Sequence, residues 1–321
     1  MTKIMKKQTV EQLGEFGLID EIKKWVLPLT LSLSSKKRGQ GEGLVGIGDD
    51  AAVFQINRGM NQLLTIDTLV EDVDFIKTKA TPQEIGWKAL AVNLSDIAAM
   101  GGIPKFAVVS LILPPRTSVE FVKGFYEGIR KLAQKFNVSI VGGDLSRGSV
   151  ISSSIALVGE VDPKLVIYRN QAKPGDFICV TGRLGGSILG KHLNFIPRIK
   201  EGQFLARQGV SAMIDISDGL KQDLKHITDD SKVGGMLDER KIPVSKDALK
   251  LAKGNRKEAL GHALSDGEDF ELLFTISEDR LYPLEKAWKK RFKTELTQIG
   301  KIVERGNATL EMRKRLGFQH F

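Results

Sequence analysis

The chain has 321 residues, 41% of them hydrophobic and 27% charged, which is enough apolar material for two cores rather than one. Lys and Arg number 48 against 39 Asp and Glu, a formal net charge of +9, but the basic residues are scattered in short runs such as Lys36-Lys37-Arg38 and Lys289-Lys290-Arg291 with no aromatic interleaving, which argues against nucleic acid as a partner. A single cysteine, Cys179, excludes a disulfide framework and a cysteine-rich zinc site, and no apolar run approaches the roughly 20 residues of a membrane span.

Lys3, Lys6 and Lys7 are followed by Gln8, Glu11 and Gln12 rather than by an apolar signal core, so a soluble, cytoplasmic protein is expected. Leu18, Ile22, Val26 and Leu29 then recur at helical spacing, and a polar, glycine-rich loop runs over 32–43. Strands are predicted at Ala51-Val53-Phe54 and over 63–67. A helix over 82–100 opens on Thr81-Pro82, an N-cap followed by proline at the first helical position. A strand over 107–113, a helix over 119–136 and strands at 139–141 and 152–158 complete a first α/β domain, assigned to residues 1–160. The second domain, residues 161–321, starts with the turn Ala172-Lys173-Pro174-Gly175-Asp176 and the strand 177–181, where Cys179 reads as a buried small hydrophobe. Helices follow at 219–228, 245–252 and 281–291, with strands at 271–275 and 297–303.

The chemistry is carried by acids placed where a chain otherwise avoids them. Asp49 and Asp50 sit in the tight turn Gly46-Ile47-Gly48-Asp49-Asp50, Asp67 ends a strand, and Asp96 interrupts the largely apolar helix Ala91-Val92-Asn93-Leu94-Ser95-Asp96-Ile97-Ala98-Ala99. Asp144 follows Gly142-Gly143 after the strand ending at Val141, Asp215 and Asp218 stand in Ile214-Asp215-Ile216-Ser217-Asp218-Gly219-Leu220, and Asp266-Gly267-Glu268-Asp269 comes later. Each alone fits an Asx turn or a helix cap. Together they need cations, because buried like charges repel and raise one another's pKa. Oxygen donors with few histidines and one cysteine point to Mg²⁺ rather than zinc or copper.

Two patterns are near misses. The turn at 46–51 meets a loose dinucleotide fingerprint, but its acids repel a pyrophosphate and it precedes a strand instead of opening a helix. Gly185-Gly186-Ser187-Ile188-Leu189-Gly190-Lys191-His192 has P-loop spacing, yet His192 stands where a hydroxyl should hold Mg²⁺; a glycine turn into a helix is expected, with the helix N-terminus still open to phosphate.

Taken in order, the turn at 46–50, the segment 65–75, the helix 88–101, Gly142-Gly143-Asp144, the turn 172–176 and the segments 214–220 and 264–272 resemble the thiamine-monophosphate kinase family, of the superfamily typified by aminoimidazole ribonucleotide synthetase. The resemblance runs over nearly the whole chain and implies an α/β (α+β) two-domain fold whose N-terminal domains pair into a β-barrel in a homodimer. It implies ATP and several Mg²⁺ ions in a cleft between the domains, the first domain binding ATP and Mg²⁺ and the second completing the cleft. The implied reaction is phosphorylation of thiamine monophosphate to the diphosphate by direct in-line transfer, with no general base.

By motif, the Mg²⁺ ligands implied are Asp50, Thr65, Ile66 through its carbonyl, Asp67, Asp96, Asp144, Asp215 and Asp218. Nucleotide contacts implied are Tyr126, Gly143, Asp144, Arg169 and Ser217, and Glu268 would meet the thiamine phosphate. Asp74 stands where the family usually has histidine, and Arg315 where it usually has an aromatic ring, with Phe318 the nearest substitute. At these two substrate positions the resemblance leaves Asp74 either to recruit another Mg²⁺ or to face the thiazolium cation. Another ATP-using enzyme of the superfamily, or a nucleotide sensor that has lost catalysis, are the alternatives.

Overall fold

The computed structural model describes residues 8–34 and 56–306, so the expected strand at Ala51-Val53-Phe54, the turn holding Asp50, and Arg315 lie outside the described residues. The chain divides into two compact units, one comprising residues up to Leu94 and Pro104–Glu160, the other Ser95–Ile103 and everything from Val161 onward. The short stretch Ser95–Ile103, assigned by sequence to the first half, groups with the second.

The first unit opens with α1 (Val10–Leu13), capped by Thr9: the Gln12 amide donates to Thr9 Oγ1 at 3.3 Å, and the Thr9 amide to Gln12 Oε1 at 3.1 Å. It continues through α2 (Glu15–Ser34), β1 (Asn61–Val70), α3 (Pro82–Ala99), β2 (Ile103–Leu113), α4 (Val119–Phe136), β3 (Ser139–Arg147) and β4 (Ser152–Val161). Thr81 and Glu84 form a second capping box at the start of α3, with the Glu84 amide on Thr81 Oγ1 at 3.2 Å and the Thr81 amide on Glu84 Oε2 at 2.8 Å. Among the described residues, the sheet order is β1-β4-β2-β3. The pair β2 and β3 is parallel, as a right-handed crossover through α4 requires. One face of α4 is buried through Val122, Phe125, Ile129 and Leu132. On the sheet, Leu64, Ile66, Val108 and Ile112 remain exposed.

Helices α3 and α4 approach backbone to backbone at two glycines. A Cβ on Gly86 would lie 1.9 Å from the Phe125 carbonyl oxygen, and one on Gly128 would lie 2.0 Å from that of Gln83. Glycine to alanine inside a helix ordinarily stabilises by roughly 0.5–1 kcal/mol. Here the added methyl forces the helices apart, so Gly128→Ala is expected to destabilise the protein by about 1–3 kcal/mol. The urea midpoint against wild type checks the sign.

The second unit contains β5 (Phe177–Thr181), α5 (Lys191–Asn194), α6 (Ile199–Gln208), β6 (Ala212–Asp215), α7 (Leu220–Ser231), β7 (Gly234–Leu237), α8 (Lys246–Leu251), α9 (Arg256–Ser265), β8 (Leu272–Ile276), α10 (Glu278–Arg291) and β9 (Leu296–Val303). Its sheet runs β6-β8-β5-β9-β7 with antiparallel neighbours throughout. All five residues of β8 are buried, which is why it reads as an uninterrupted apolar run. Ile178, Val180, Leu220, Leu224, Ile227, Leu273 and Ile299 form its core, and Cys179 is buried in β5, where burial raises its thiol pKa.

Several elements differ from expectation. Gly142-Gly143-Asp144 lies within β3 rather than after a strand, because β3 keeps pairing with β2 as far as Arg147. The sequence reading has no counterpart for β6 and β7, four residues each and too short to show a period, or for α6 and α9. Gly202 inside α6 weakens the helical signal, yet a Cβ there would lie 2.1 Å from the Ala98 carbonyl oxygen, so close packing demands it.

The P-loop-like segment is structural. Gly185 donates its amide to both oxygens of Asp269, at 3.0 and 2.8 Å, and Gly186 donates to Asp266 Oδ2 at 3.2 Å. Lys191 donates to Glu271 Oε1 at 2.9 Å. Amides aimed at carboxylates, a four-residue helix and a lysine committed to a buried glutamate do not make a phosphate cradle, which corrects the expectation that this helix N-terminus stays open to phosphate.

Candidate active site

In the first unit, the two-residue period of β1 puts Thr65 and Asp67, both half-buried, on the same side as the buried Leu63 and Leu69. Ile66 points to the other side and is 65% exposed, so only its backbone can serve as a ligand. Asp144 sits on β3, opposite Ser110 of β2, and accepts a hydrogen bond from Ser146 Oγ at 3.1 Å. Among the described residues, strands β1 and β3 end the sheet order, so Asp67 and Asp144 do not come together through strand pairing. Gly143 has a packing reason of its own, since a Cβ there would lie 2.2 Å from the Val109 carbonyl oxygen.

Tyr126 is buried in α4, edge-on to Phe125 with ring centroids 5.7 Å apart, and burial raises its hydroxyl pKa. Asp74 closes the turn after β1: its Oδ2 accepts the Val70 amide at 2.7 Å, and its carbonyl accepts the ammonium of the fully buried Lys88 at 2.7 Å. This local role explains an aspartate there without any ligand.

The second unit brings most of the remaining candidates together. Its two acidic loops are laced backbone to backbone: Glu268 donates its amide to the Ser217 carbonyl at 2.7 Å, Phe270 to Ile216 at 2.8 Å, and Ile216 to Glu271 at 2.8 Å. Two glycines permit the approach. Gly267, with φ +74°, would place a Cβ 2.5 Å from the Ser217 oxygen, and Gly219 has φ +108° at the entry to α7. The end of α3 joins this group through Ser95, whose hydroxyl donates to Asp215 Oδ2 at 2.6 Å. Asp96 follows it and is the one residue not buried between Lys88 and Ala99. Asp215, Ser217, Asp218 and Glu268 are therefore neighbours, with Asp96 next in sequence to Ser95, so the group draws on three distant segments.

Two residues the sequence reading missed belong to this group. Asp223 accepts the Asp218 amide at 3.1 Å, and Asp218, Asp223 and His226 offer ligand atoms that all lie within 4.8 Å of one another. The available signal was helical spacing, since Asp223 and His226 are three apart on α7. Asp223 is 1% exposed, and burial followed by repulsion from Asp215 and Asp218 pushes its carboxyl up to about 8, despite hydrogen bonds from the Asp218 and Gly219 amides. Arg169 is exposed and paired with Asp230 at 2.7 Å, within the same unit.

Comparison with known proteins gives a consistent picture. Residues 48–161 match the family model of AIR synthase related protein, N-terminal domain. The chain is 34% identical over 340 residues to thiamine-monophosphate kinase of Bacillus subtilis (strain 168), covering 96% of this chain and 100% of that one. It is 38% identical over 304 residues to the thiamine-monophosphate kinase of Buchnera aphidicola subsp. Acyrthosiphon pisum (strain APS), covering 86% and 92%. Among solved structures it resembles thiamine-monophosphate kinase from Stenotrophomonas maltophilia K279a, with TM-score 0.77 and 33% identity over 91% of this chain and 94% of that one. AaThiL complexed with AMPPCP and TMP matches over 100% of both chains, with TM-score 0.73 and 30% identity.

Proposed function

The chain belongs to the thiamine-monophosphate kinase family, and from that premise we propose how its residues carry the reaction. It is an enzyme that uses ATP to phosphorylate thiamine monophosphate to the diphosphate. The observation that carries the reading at residue level is the convergence of Asp96, Asp215, Ser217, Asp218 and Glu268, with Asp223 beneath them held largely protonated near neutrality.

A donor set made almost wholly of carboxylate and hydroxyl oxygens fits Mg²⁺. Asp96, Asp215 and Asp218 would hold ions in the second unit, and Thr65, the Ile66 carbonyl, Asp67 and Asp144 in the first, joined by Asp50. Bound Mg²⁺ supplies neutralisation of the phosphate charges and alignment of the attacking and leaving oxygens. The acceptor is already an anionic phosphate oxygen, so the chain needs no general base. Its task is to overcome repulsion between anions and to orient them.

Ser217 and the backbone at Gly143 would meet the nucleotide, and Glu268 the thiamine phosphate. Arg169 would exchange its bond to Asp230 for the ATP phosphates, at little cost because a pair this exposed contributes at most about 1 kcal/mol. Asp74 serves the turn after β1. A homodimer formed through the exposed Leu64, Ile66, Val108 and Ile112 would cover an apolar face that water disfavours. No helix among the described residues is long and apolar enough to cross a membrane, and we place the enzyme in the cytoplasm.

The test is direct. Purified protein with ATP, Mg²⁺ and thiamine monophosphate should yield ADP and thiamine diphosphate in equal amounts by mass spectrometry, with product formation abolished by a chelator. Binding of ATP without any diphosphate at saturating substrate would overturn the substrate assignment, and undiminished turnover in chelator would overturn the role of Mg²⁺.

A further inference from the structure

We propose that Ser95 is a positioning residue for this reaction, its hydroxyl holding the Asp215 carboxylate in the orientation that lets Asp215 and Asp96 share divalent cations. The inference rests on the reading that Asp215 and Asp96 are metal ligands. Ser95 is 1% exposed in the apolar part of α3, where serine is a poorer helix former than the alanines and leucines around it. A buried hydroxyl needs a partner. Ser95 finds one 120 residues away, at 2.6 Å on Asp215 Oδ2, the distance of a charge-assisted O–H···O⁻ bond.

The backbone and side chain of Asp215 are held by different devices. Antiparallel pairing with Leu272 of β8 fixes the main chain at the end of β6. That pairing leaves rotation about the side-chain bonds undetermined, and the Ser95 hydroxyl acts on those bonds directly. The Ser95 hydroxyl restrains one of the two carboxylate oxygens. Because Ser95 and Asp96 are consecutive on a rigid helix, the same bond also sets where Asp96 lies relative to Asp215. A hydrogen bond to a metal-ligating carboxylate is the kind of outer contact whose removal typically lowers metal affinity about 10- to 100-fold.

The experiment titrates Mn²⁺, as a paramagnetic stand-in for Mg²⁺, into the full-length apoprotein and reads free Mn²⁺ by electron paramagnetic resonance, alongside the Mg²⁺ dependence of turnover. Ser95→Ala should weaken Mn²⁺ binding and raise the Mg²⁺ needed for half-maximal turnover, each by about 10-fold or more. At saturating Mg²⁺ its KM for thiamine monophosphate should stay within about threefold of wild type, since only the metal contact is touched. Asp215→Asn and Asp96→Asn are the reference variants. If they lose Mn²⁺ affinity while folded Ser95→Ala keeps wild-type affinity, the proposal is overturned and the metal reading survives. If all three bind as wild type, the metal reading itself fails. Should Ser95→Ala not fold, Ser95→Cys keeps the shape with a weaker donor. Intermediate affinity in that variant supports the proposal, and wild-type affinity overturns it.

Discussion

Asp96→Asn and Asp215→Asn are each expected to lower kcat by about 100- to 1000-fold, the scale on which loss of one preorganised electrostatic contact is felt in transfer reactions. Both residues sit where the end of α3 meets the end of β6, and neither placement serves packing. Asp96 is the one open position in a buried stretch of helix, and Asp215 is buried against two further acids. Asparagine keeps shape and hydrogen-bonding capacity while removing the charge that attracts Mg²⁺, so both variants should fold. Their Tm without Mg²⁺ should equal or exceed that of wild type, because each removes a repelling charge from the cluster. With Mg²⁺ the order should reverse. Turnover within threefold of wild type at limiting Mg²⁺ would sink the assignment.

The largest effect on stability is expected at Glu271, a residue the reaction does not use. It is 1% exposed and lies between Arg198, which donates twice at 2.7 Å, and Lys191 at 2.9 Å, with the Thr181 hydroxyl at 2.8 Å. Glu271→Gln leaves two cations facing a neutral amide, and breaking a buried pair this way costs about 3–5 kcal/mol. Urea unfolding at neutral pH measures it. Burial alone would raise the Glu271 pKa, but Lys191 and Arg198 outweigh burial and hold the carboxyl below its usual range. Its folded pKa is thus below the unfolded value of about 4.3. The stabilisation is complete above that value and is lost as pH falls through the lower, folded one.

The gap between wild type and Glu271→Gln should therefore close on acidification. Asp269 acts in the opposite sense. Burial pushes it up to about 7 against the pull of Lys191 and the Gly185 amide, so its contribution is full below the unfolded pKa of about 3.9 and is lost as pH rises through about 7. A gap that stays constant from pH 7 to pH 3 would show that Glu271 is not ionised in the folded protein.

Much of the architecture was legible because its signals are local. Thr81-Pro82 opens α3 where capping chemistry places it. The long strands β1, β2 and β4 carry enough alternation to be seen. What escaped is short or compensated. Strand β6 is four residues long and becomes a strand only by pairing with β8. The interior glycine of α6 argues against a helix until Ala98 is placed beside it.

For the site, the residue types were decided by sequence alone: oxygen donors crowded in glycine-flanked loops, without the cysteines or histidine spacing of a zinc centre, and in an order that marks one family. Which of them meet was decided only by the tertiary structure. Ser95, next to Asp96, reaches Asp215 across 120 positions through its hydroxyl, while Ser217 and Glu268 are brought together by a backbone hydrogen bond between loops. Lys191, which looks like a site residue in a linear reading, is drawn off by a buried glutamate, and Asp74 takes part in a turn. The reason is physical. A motif records which groups a segment carries, whereas the partners that orient, neutralise or claim those groups come from distant segments, and the energy of a buried charge depends on them more than on its neighbours in sequence.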